Sequence, residues 1–524
     1  LQLGFVIDHS RCIGCHACTV ACKSENDVPL GNFRTWVKYT EEGNFPEVKR
    51  SFAVLRCNQC SSAPCVTICP VKALHKRDDG IVDIDPAACI GCKACMQGCP
   101  YDALYINEDK GTAEKCHFCA HRTEVGLAPA CAVVCPTEAI IPGDFHDPRS
   151  PVSRMRQDHD LTARKTEAGT GPNVLYREAA PAGLVPLDTN AAGGYLWSNP
   201  MPWLDMDAER FNALQQEAEQ QSDARTTYDV DHRPWWGWKV SAYLVTKALS
   251  AGAFLMMAIL QFAAPAGADR MVFGASILLP FAGLFFLAVT GALLIADLRK
   301  PARFLYILLR PNWSSWLVRG TLVISGYGAV LLLWLLHLAG GGVGVGSAAT
   351  GRDPAGLAIL VTGSLFAALT AGYTGWLFAQ AKGRVLWMRR GLWLHLIVQA
   401  LIAGSALTLI LGPLFLYTTR HSMGVTSATL LVGLVLHALF VVLEPKLSPK
   451  NREREYDRAS ELILSGPYAR RHRWVGLFVG VVLPALLLLP PFPLCWLLAG
   501  VLALVGLYAE KDILVRAGQA LAIS

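Results

Sequence analysis

Beyond residue 235 the chain is written in long apolar runs separated by short polar loops; before it the apolar positions are irregular and no run is long. Crossing about 30 Å of hydrocarbon takes roughly 20 mainly apolar residues as a helix. Eight stretches meet or approach that length: 240–263, 271–296, 315–337, 356–379, 392–417, 424–443, 474–489 and 492–508. The last two are short and joined by Pro490, Pro491, Phe492 and Pro493. Eight such runs with few internal charges predict an all-α transmembrane bundle of eight helices over residues 235–524, because a lipid-exposed backbone must satisfy its own hydrogen bonds. Residues 151–234 carry clusters of Pro, Gly and Asp and are expected to form a connector, with one surface helix at 205–221. Trp235, Trp236 and Trp238, just ahead of the first run, read as an interfacial aromatic belt.

Composition sharpens this division. Only 17% of the 524 residues are charged, and the mean hydropathy of +0.34 is too apolar for a single soluble globule. Of 17 cysteines, all but Cys495 lie between Cys12 and Cys135, so a cysteine-dense module of residues 1–150 precedes the connector. The first ten residues have neither a basic region nor an apolar core, so no secretory leader is expected and a disulfide scaffold is disfavoured.

The net charge of +6 follows topology and does not point to nucleic acid. Numbering the crossings from the amino-terminal side, loops on that side hold Arg299, Lys300, Arg303, Arg310, Lys382, Arg384, Arg389, Arg390, the run from Lys446 to Arg473, Lys511 and Arg516. The opposite side has Arg270, Arg352 and Arg420. The positive-inside rule therefore predicts that both termini and the cysteine module are cytoplasmic, in the multi-pass setting of a bacterial or archaeal cytoplasmic membrane.

The sixteen clustered cysteines form four groups. Cys12, Cys15, Cys18 and Cys22 read C-x2-C-x2-C-x3-C, and Cys89, Cys92, Cys95 and Cys99 repeat that spacing. Cys57, Cys60, Cys65 and Cys69 read C-x2-C-x4-C-x3-C; Cys116, Cys119, Cys131 and Cys135 read C-x2-C-x11-C-x3-C. Three close thiolates can hold three corners of an iron–sulfur cubane, while the fourth, three residues on, ligates a neighbouring cluster. Pro70, Pro100 and Pro136 follow the fourth cysteine in three groups; Lys23 takes that place in the first. Zinc ribbons would pair two C-x2-C units per metal and leave the x3-C continuation without a role. Four groups predict four [4Fe–4S] clusters, and full sulfur ligation suits storing and passing single electrons, with no open position for substrate.

The segments "RCIGCHACTVACK", "CNQCSSAPCVTICP", "CIGCKACMQGCPYDA" and "KCHFCAHR…PACAVVCP" resemble the four-cluster, ferredoxin-like α+β electron-transfer subunits of molybdopterin oxidoreductases such as dimethyl sulfoxide, polysulfide and nitrate reductases. The resemblance implies shared clusters: Cys12, Cys15 and Cys18 with Cys135; Cys116, Cys119 and Cys131 with Cys22; Cys57, Cys60 and Cys65 with Cys99; Cys89, Cys92 and Cys95 with Cys69. "WWGWKVSAYLVTKALSAGAF", "DLRKPARFLYILLRPNWSSWLVRG", "YTGWLFAQAKGRVLW" and "LVGLYAEKDILVRAGQ" resemble the NrfD/polysulfide-reductase membrane subunits, eight-helix proteins that interact with quinone. The pair implies a fused electron-transfer and anchor subunit, working between a molybdopterin-containing catalytic partner and the membrane quinone pool (menaquinone or ubiquinone). A higher oligomer of the complex stays open.

Polar residues inside spans are functional candidates. From the ~1.5 Å helical rise per residue, Lys247 lies roughly 12 Å, Tyr373 roughly 13 Å and His437 roughly 10 Å below the amino-terminal-side edge, with Asp297 closing the second span. These four are the expected quinone-binding and proton-exchanging residues. His395 and His437 at matched depth could instead hold one haem, but the resemblance implies none. A redox-driven ion pump, or an anchor passing electrons to a soluble carrier without a quinone site, are the competing readings.

Overall fold

A computed structural model describes residues 1–43, 46–189, 224–264, 269–340, 353–414 and 420–524. The expected surface helix at 205–221, with Tyr195, Trp197 and Trp203, lies outside the described residues.

The amino-terminal module is α+β. Its buried apolar strand Leu3–Asp8 sits mid-sheet, antiparallel to Ile140–Asp144 and parallel to Val174–Arg177, with Thr162–Ala163 at the edge. In a second sheet Thr35–Glu42 lies between Lys49–Arg56 and Ala224–Tyr228, both antiparallel. Parts of the connector stretch therefore supply strands to both sheets. Two hairpins, Leu74–Lys76 with Val82–Ile84 and Leu104–Asn107 with Thr112–Lys115, follow the second and third cysteine groups.

The prolines explain the local geometry around the thiols. A residue before proline is pushed out of the helical region. The short helices Pro64–Ile68 and Ala94–Gly98 accordingly stop one residue short of the proline, with Cys69 and Cys99 extended. Lys72, Asp102 and Glu138, each three residues beyond a fourth cysteine, then take a left-handed turn. In the first group Lys23 imposes no such stop, and helix Ala17–Asn26 runs straight through Cys22.

Among the described residues seven helices are long and apolar enough to cross a membrane: Trp238–Ala263, Asp269–Ala296, Trp316–Gly340, Pro354–Gln380, Leu392–Leu414, Arg420–Leu443 and Pro493–Ala520. The remaining expected crossing, 474–489, is a π-helix His472–Val482 continuing into the short α-helix Leu483–Leu487. Pro484 cannot donate a backbone hydrogen bond, and Gly480 packs against Gly506 of the final helix with no room for a side chain, so the wider winding sits where the ladder is already broken. The final helix overruns its expected end, residue 508, by twelve residues. The charges that marked that end are all partnered: Glu510 with His472 at 2.7 Å, Lys511 with Gln399, and Asp512 with Arg471 at 2.6 Å and Arg516 at 2.9 Å.

The first and fifth helices form the centre of the bundle, with 78% and 72% of their apolar windows buried against 22–39% elsewhere. They can approach because Gly252 and Gly404 face each other; a Cβ on either would collide with the other helix's backbone. One continuous apolar core runs from Ile68, Ala94, Met96 and Tyr101 of the cysteine module to Leu244, Phe378, Trp387 and Leu396 of the bundle, so the two halves are packed as a unit.

Candidate functional site: a cysteine relay seated on the membrane helices

Thiols of different groups lie close to one another, and some contacts, such as Cys18 with Cys131 and Cys57 with Cys116, run between the implied sets. Cys22 lies in electrostatic reach of Cys116, Cys131 and Cys119; Cys12 of Cys135 and Cys15; Cys60 and Cys65 of Cys99; Cys92 and Cys95 of Cys69. Among the described residues no three His, Cys, Asp or Glu side chains converge tightly enough to hold a single ion. Sets of four thiolates are the ligation that a [4Fe–4S] cubane takes.

The turns after the prolines aim peptide N–H groups at the sulfurs. Cys69 Sγ accepts from Leu74, Val71 and Ala73, Cys99 Sγ from Ala103 and Tyr101, and Cys135 Sγ from the Ala139 N–H at 3.2 Å. Such nests of N–H groups suit an anionic cluster. Cys22, inside a helix, instead faces Asn26 Nδ2 at 3.7 Å. These donors and thiols fit [4Fe–4S] groups, which would supply one-electron storage. Cys15 is exposed and Cys12 and Cys135 half-buried, so the group they share opens to the surface.

The second and third cysteine groups rest on the membrane half. Asn312 Nδ2 donates to the Cys69 carbonyl at 2.8 Å and Ser315 Oγ to that of Ile68 at 2.8 Å. Arg303 donates to the carbonyls of Cys89 (2.9 Å) and Pro86 (2.8 Å). The backbone N–H of Lys300 meets the Ile90 carbonyl at 3.2 Å, and that of Gly383 the Gln97 carbonyl at 3.1 Å. A Cβ on Gly383 would strike the Cys99 and Gln97 carbonyls, so glycine permits this approach. Gln97 also takes Arg384 Nε at 2.8 Å and donates to Gln519, on the final helix, at 3.0 Å. Trp236 is no belt residue: it is buried, stacked on Trp387 and Phe378, and its Nε1 donates to the Cys92 carbonyl at 3.3 Å. Trp238 is exposed.

The four residues expected at a quinone site fall into three places. Lys247 and Tyr373, from the first and fourth helices, come together, with Lys247 Nζ 4.3 Å from the Tyr373 ring centroid, 5.9 Å from that of Tyr243 and bonded to Thr374 Oγ1. Lys247 is buried, and the nearest charge that acts on it is another lysine, Lys511. Asp297 stands at the joint, where it pairs with Lys93 of the third cysteine group at 2.9 Å. His437 belongs to a second polar group: it is hydrogen-bonded to His395 at 2.7 Å, His395 to Arg389 at 2.8 Å, and Arg389 pairs with Glu444. Glu510, Lys511 and His472 lie in electrostatic reach of His437. The bond runs between His395 Nε2 and His437 Nδ1, so the two imidazoles are joined directly.

Sequence reasoning missed Arg389, His472, Glu510 and Lys511 in this group. Counting charges assigns Arg389 and Lys511 to loops; the i, i+1 run Glu510-Lys511-Asp512 at the foot of an apolar helix was the available signal.

The profile of the family described as "Polysulphide reductase, NrfD" matches residues 226–522, more than half of the polypeptide, and that of the "4Fe-4S dicluster domain" matches 48–145. The B subunit of tetrathionate reductase from Salmonella typhimurium is 46% identical over 191 residues, covering 36% of this chain and 76% of that protein. The corresponding B component of polysulfide reductase from Wolinella succinogenes is 38% identical over 177 residues, 33% of this chain and 93% of that protein. The NrfC protein of Escherichia coli is 40% identical over 180 residues, 34% and 80% respectively. The protein belongs to the NrfD polysulphide reductase family, carrying at its amino end an iron–sulfur domain of the kind found in reductase iron–sulfur subunits. It is an electron-transfer iron–sulfur subunit and a membrane subunit in one polypeptide.

Proposed function

We propose that this chain passes electrons between a molybdopterin-bearing catalytic subunit and the quinone pool through four [4Fe–4S] clusters. The observation that carries the reading is the joint. The group of Cys89, Cys92, Cys95 and Cys69 is bonded through its own backbone to the loops that cap the membrane helices, while the group containing Cys15 opens outward. Exposed Ile13, Val20, Val133 and Val134 flank that outer group and suit a protein partner. Within the bundle, the buried Lys247 side-chain nitrogen and the Tyr373 hydroxyl supply donors for quinone oxygens, since polar groups at membrane depth are kept for function. Turning over quinone takes two protons with two electrons; the bonded imidazoles of His437 and His395 can carry them, held in place by Arg389, which pairs with Glu444 at the end of the sixth helix. The cysteine module, the joint and both polar groups share the loop side rich in Lys and Arg, read as cytoplasmic.

The test is quinone-linked turnover of the assembled complex. Lys247→Met and Tyr373→Phe are expected to lower it at least tenfold, with iron content unchanged. Turnover at the wild-type level in both variants would favour an anchor that hands electrons to a soluble carrier.

A further inference from the structure

Arg56 closes the strand Lys49–Arg56 immediately before Cys57, and its side chain is fully buried. Its guanidinium lies 4.5 Å over the Phe5 ring and donates from Nη1 to Cys131 Sγ at 3.1 Å. Among the described residues Nε and Nη2 have no hydrogen-bond partner, and the groups acting on the guanidinium electrostatically are the thiols of Cys131, Cys116 and Cys18. Other buried cations of the module are differently placed. Lys93 is neutralised by Asp297, and Lys115, which donates to the carbonyls of Cys116 and Val82, faces the inner thiols of Cys57, Cys60 and Cys65. Arg34 pairs with Glu114 at 3.0 Å. A guanidinium is always protonated and expensive to bury without a counter-charge. At Arg56 that counter-charge is not a carboxylate. Cys18 belongs to the set shared with Cys135, and Cys131 to the set shared with Cys22, so the cation stands between two neighbouring cluster sites.

We infer that Arg56 is a shared electrostatic clamp for the two outer clusters, setting their reduction potentials above what thiolate ligation and peptide N–H groups alone would give. The inference rests on the four-cluster reading. A fixed positive charge in a dry site favours the more negative, reduced form of any cluster beside it. Because one charge serves both, the pair should shift together. The two clusters nearer the membrane, whose thiols face Lys115 and Lys93 and not Arg56, should not follow.

The test is an anaerobic potentiometric titration of the full chain in lipid nanodiscs, with dithionite supplying one electron per cluster and no bond made or broken. Low-temperature EPR follows each cluster, and the outer pair is assigned by the signals lost in Cys15→Ser and Cys119→Ser. In Arg56→Met, at the potential that half-reduces the outer clusters in wild type, their reduced-to-oxidised ratio should fall at least tenfold, which is 59 mV for a one-electron couple. Arg56→Lys should recover most of the shift, and the inner pair should move less than threefold. Unchanged potentials in a fully loaded Arg56→Met protein, or an equal shift in all four clusters, would overturn the inference. If Arg56→Met and Arg56→Gln load only half the iron while Arg56→Lys loads it all, the charge itself is required and the inference stands; loss in Arg56→Lys as well assigns Arg56 to packing and overturns it. Wild-type protein with far fewer than about sixteen irons would instead defeat the four-cluster reading.

Discussion

His232 pairs with Asp102 at 2.9 Å, just beyond the third cysteine group, where the chain turns toward the first membrane helix. Burial disfavours its charge, but Asp102, with Asp229 and Asp231 nearby, outweighs that and raises the imidazole above its ordinary value. Burial likewise opposes the Asp102 carboxylate, yet His232 and Arg384 hold it below its usual range, so it stays ionised throughout the window that matters. The pair's stabilisation is therefore complete below about pH 6.5 and is lost as pH rises through the raised value of His232. The thermal midpoint of the purified protein should fall across that rise, and this part of the fall should disappear in His232→Gln; identical slopes would contradict it. At this scale the cysteines were legible because their spacing is itself the signal. The partnership of Asp297 with Lys93 was not: the two are more than two hundred positions apart, and a span-end carboxylate gives no hint that its cation lies in the soluble module. Arg56 was invisible for the same reason, since an arginine before a cysteine reads as an ordinary strand end.

Among the elements, the helix pair that carries the bundle is the first and fifth, held together at Gly252 and Gly404. Gly252→Val should force the two backbones apart and cost about 1–3 kcal/mol, as overpacking does, seen as a lowered thermal midpoint in detergent. An unchanged midpoint would mean that the helices are less closely packed there. Hydrophobic periodicity located the helices well because lipid leaves so few alternatives. It failed at the carboxyl end, where local polarity misled it. Residues 508–520 continue as helix because their charges meet His472, Gln399, Arg471 and Arg516 on this and other elements. Crossing 474–489 was found as an apolar run, but its π winding depends on Gly480 meeting Gly506, a contact no single window contains. Trp236 misled in the opposite sense. An aromatic ahead of a span ordinarily anchors it in the headgroups, yet here it plugs the seam between the two halves.

The whole molecule joins a relay to a membrane bundle through backbone contacts at the second and third cysteine groups, and a single core passes between them. Fusion fixes the inner cluster site against the membrane helices, where separate subunits would have to find that register by docking. The sidedness read from Lys and Arg makes a further prediction: protease added to sealed, right-side-out cells should leave the amino-terminal module intact and should remove it from inverted vesicles. Cleavage in intact cells would reverse the orientation.

The most direct measurement is a single turnover across the joint. The full chain in nanodiscs, its clusters reduced with dithionite and freed of excess reductant, is mixed anaerobically with a lipid-soluble quinone while cluster absorbance is followed. The account predicts complete re-oxidation of the clusters, slowed at least tenfold in Lys247→Met. Clusters that stay reduced in the presence of quinone, yet are oxidised at once by a soluble acceptor, would contradict it.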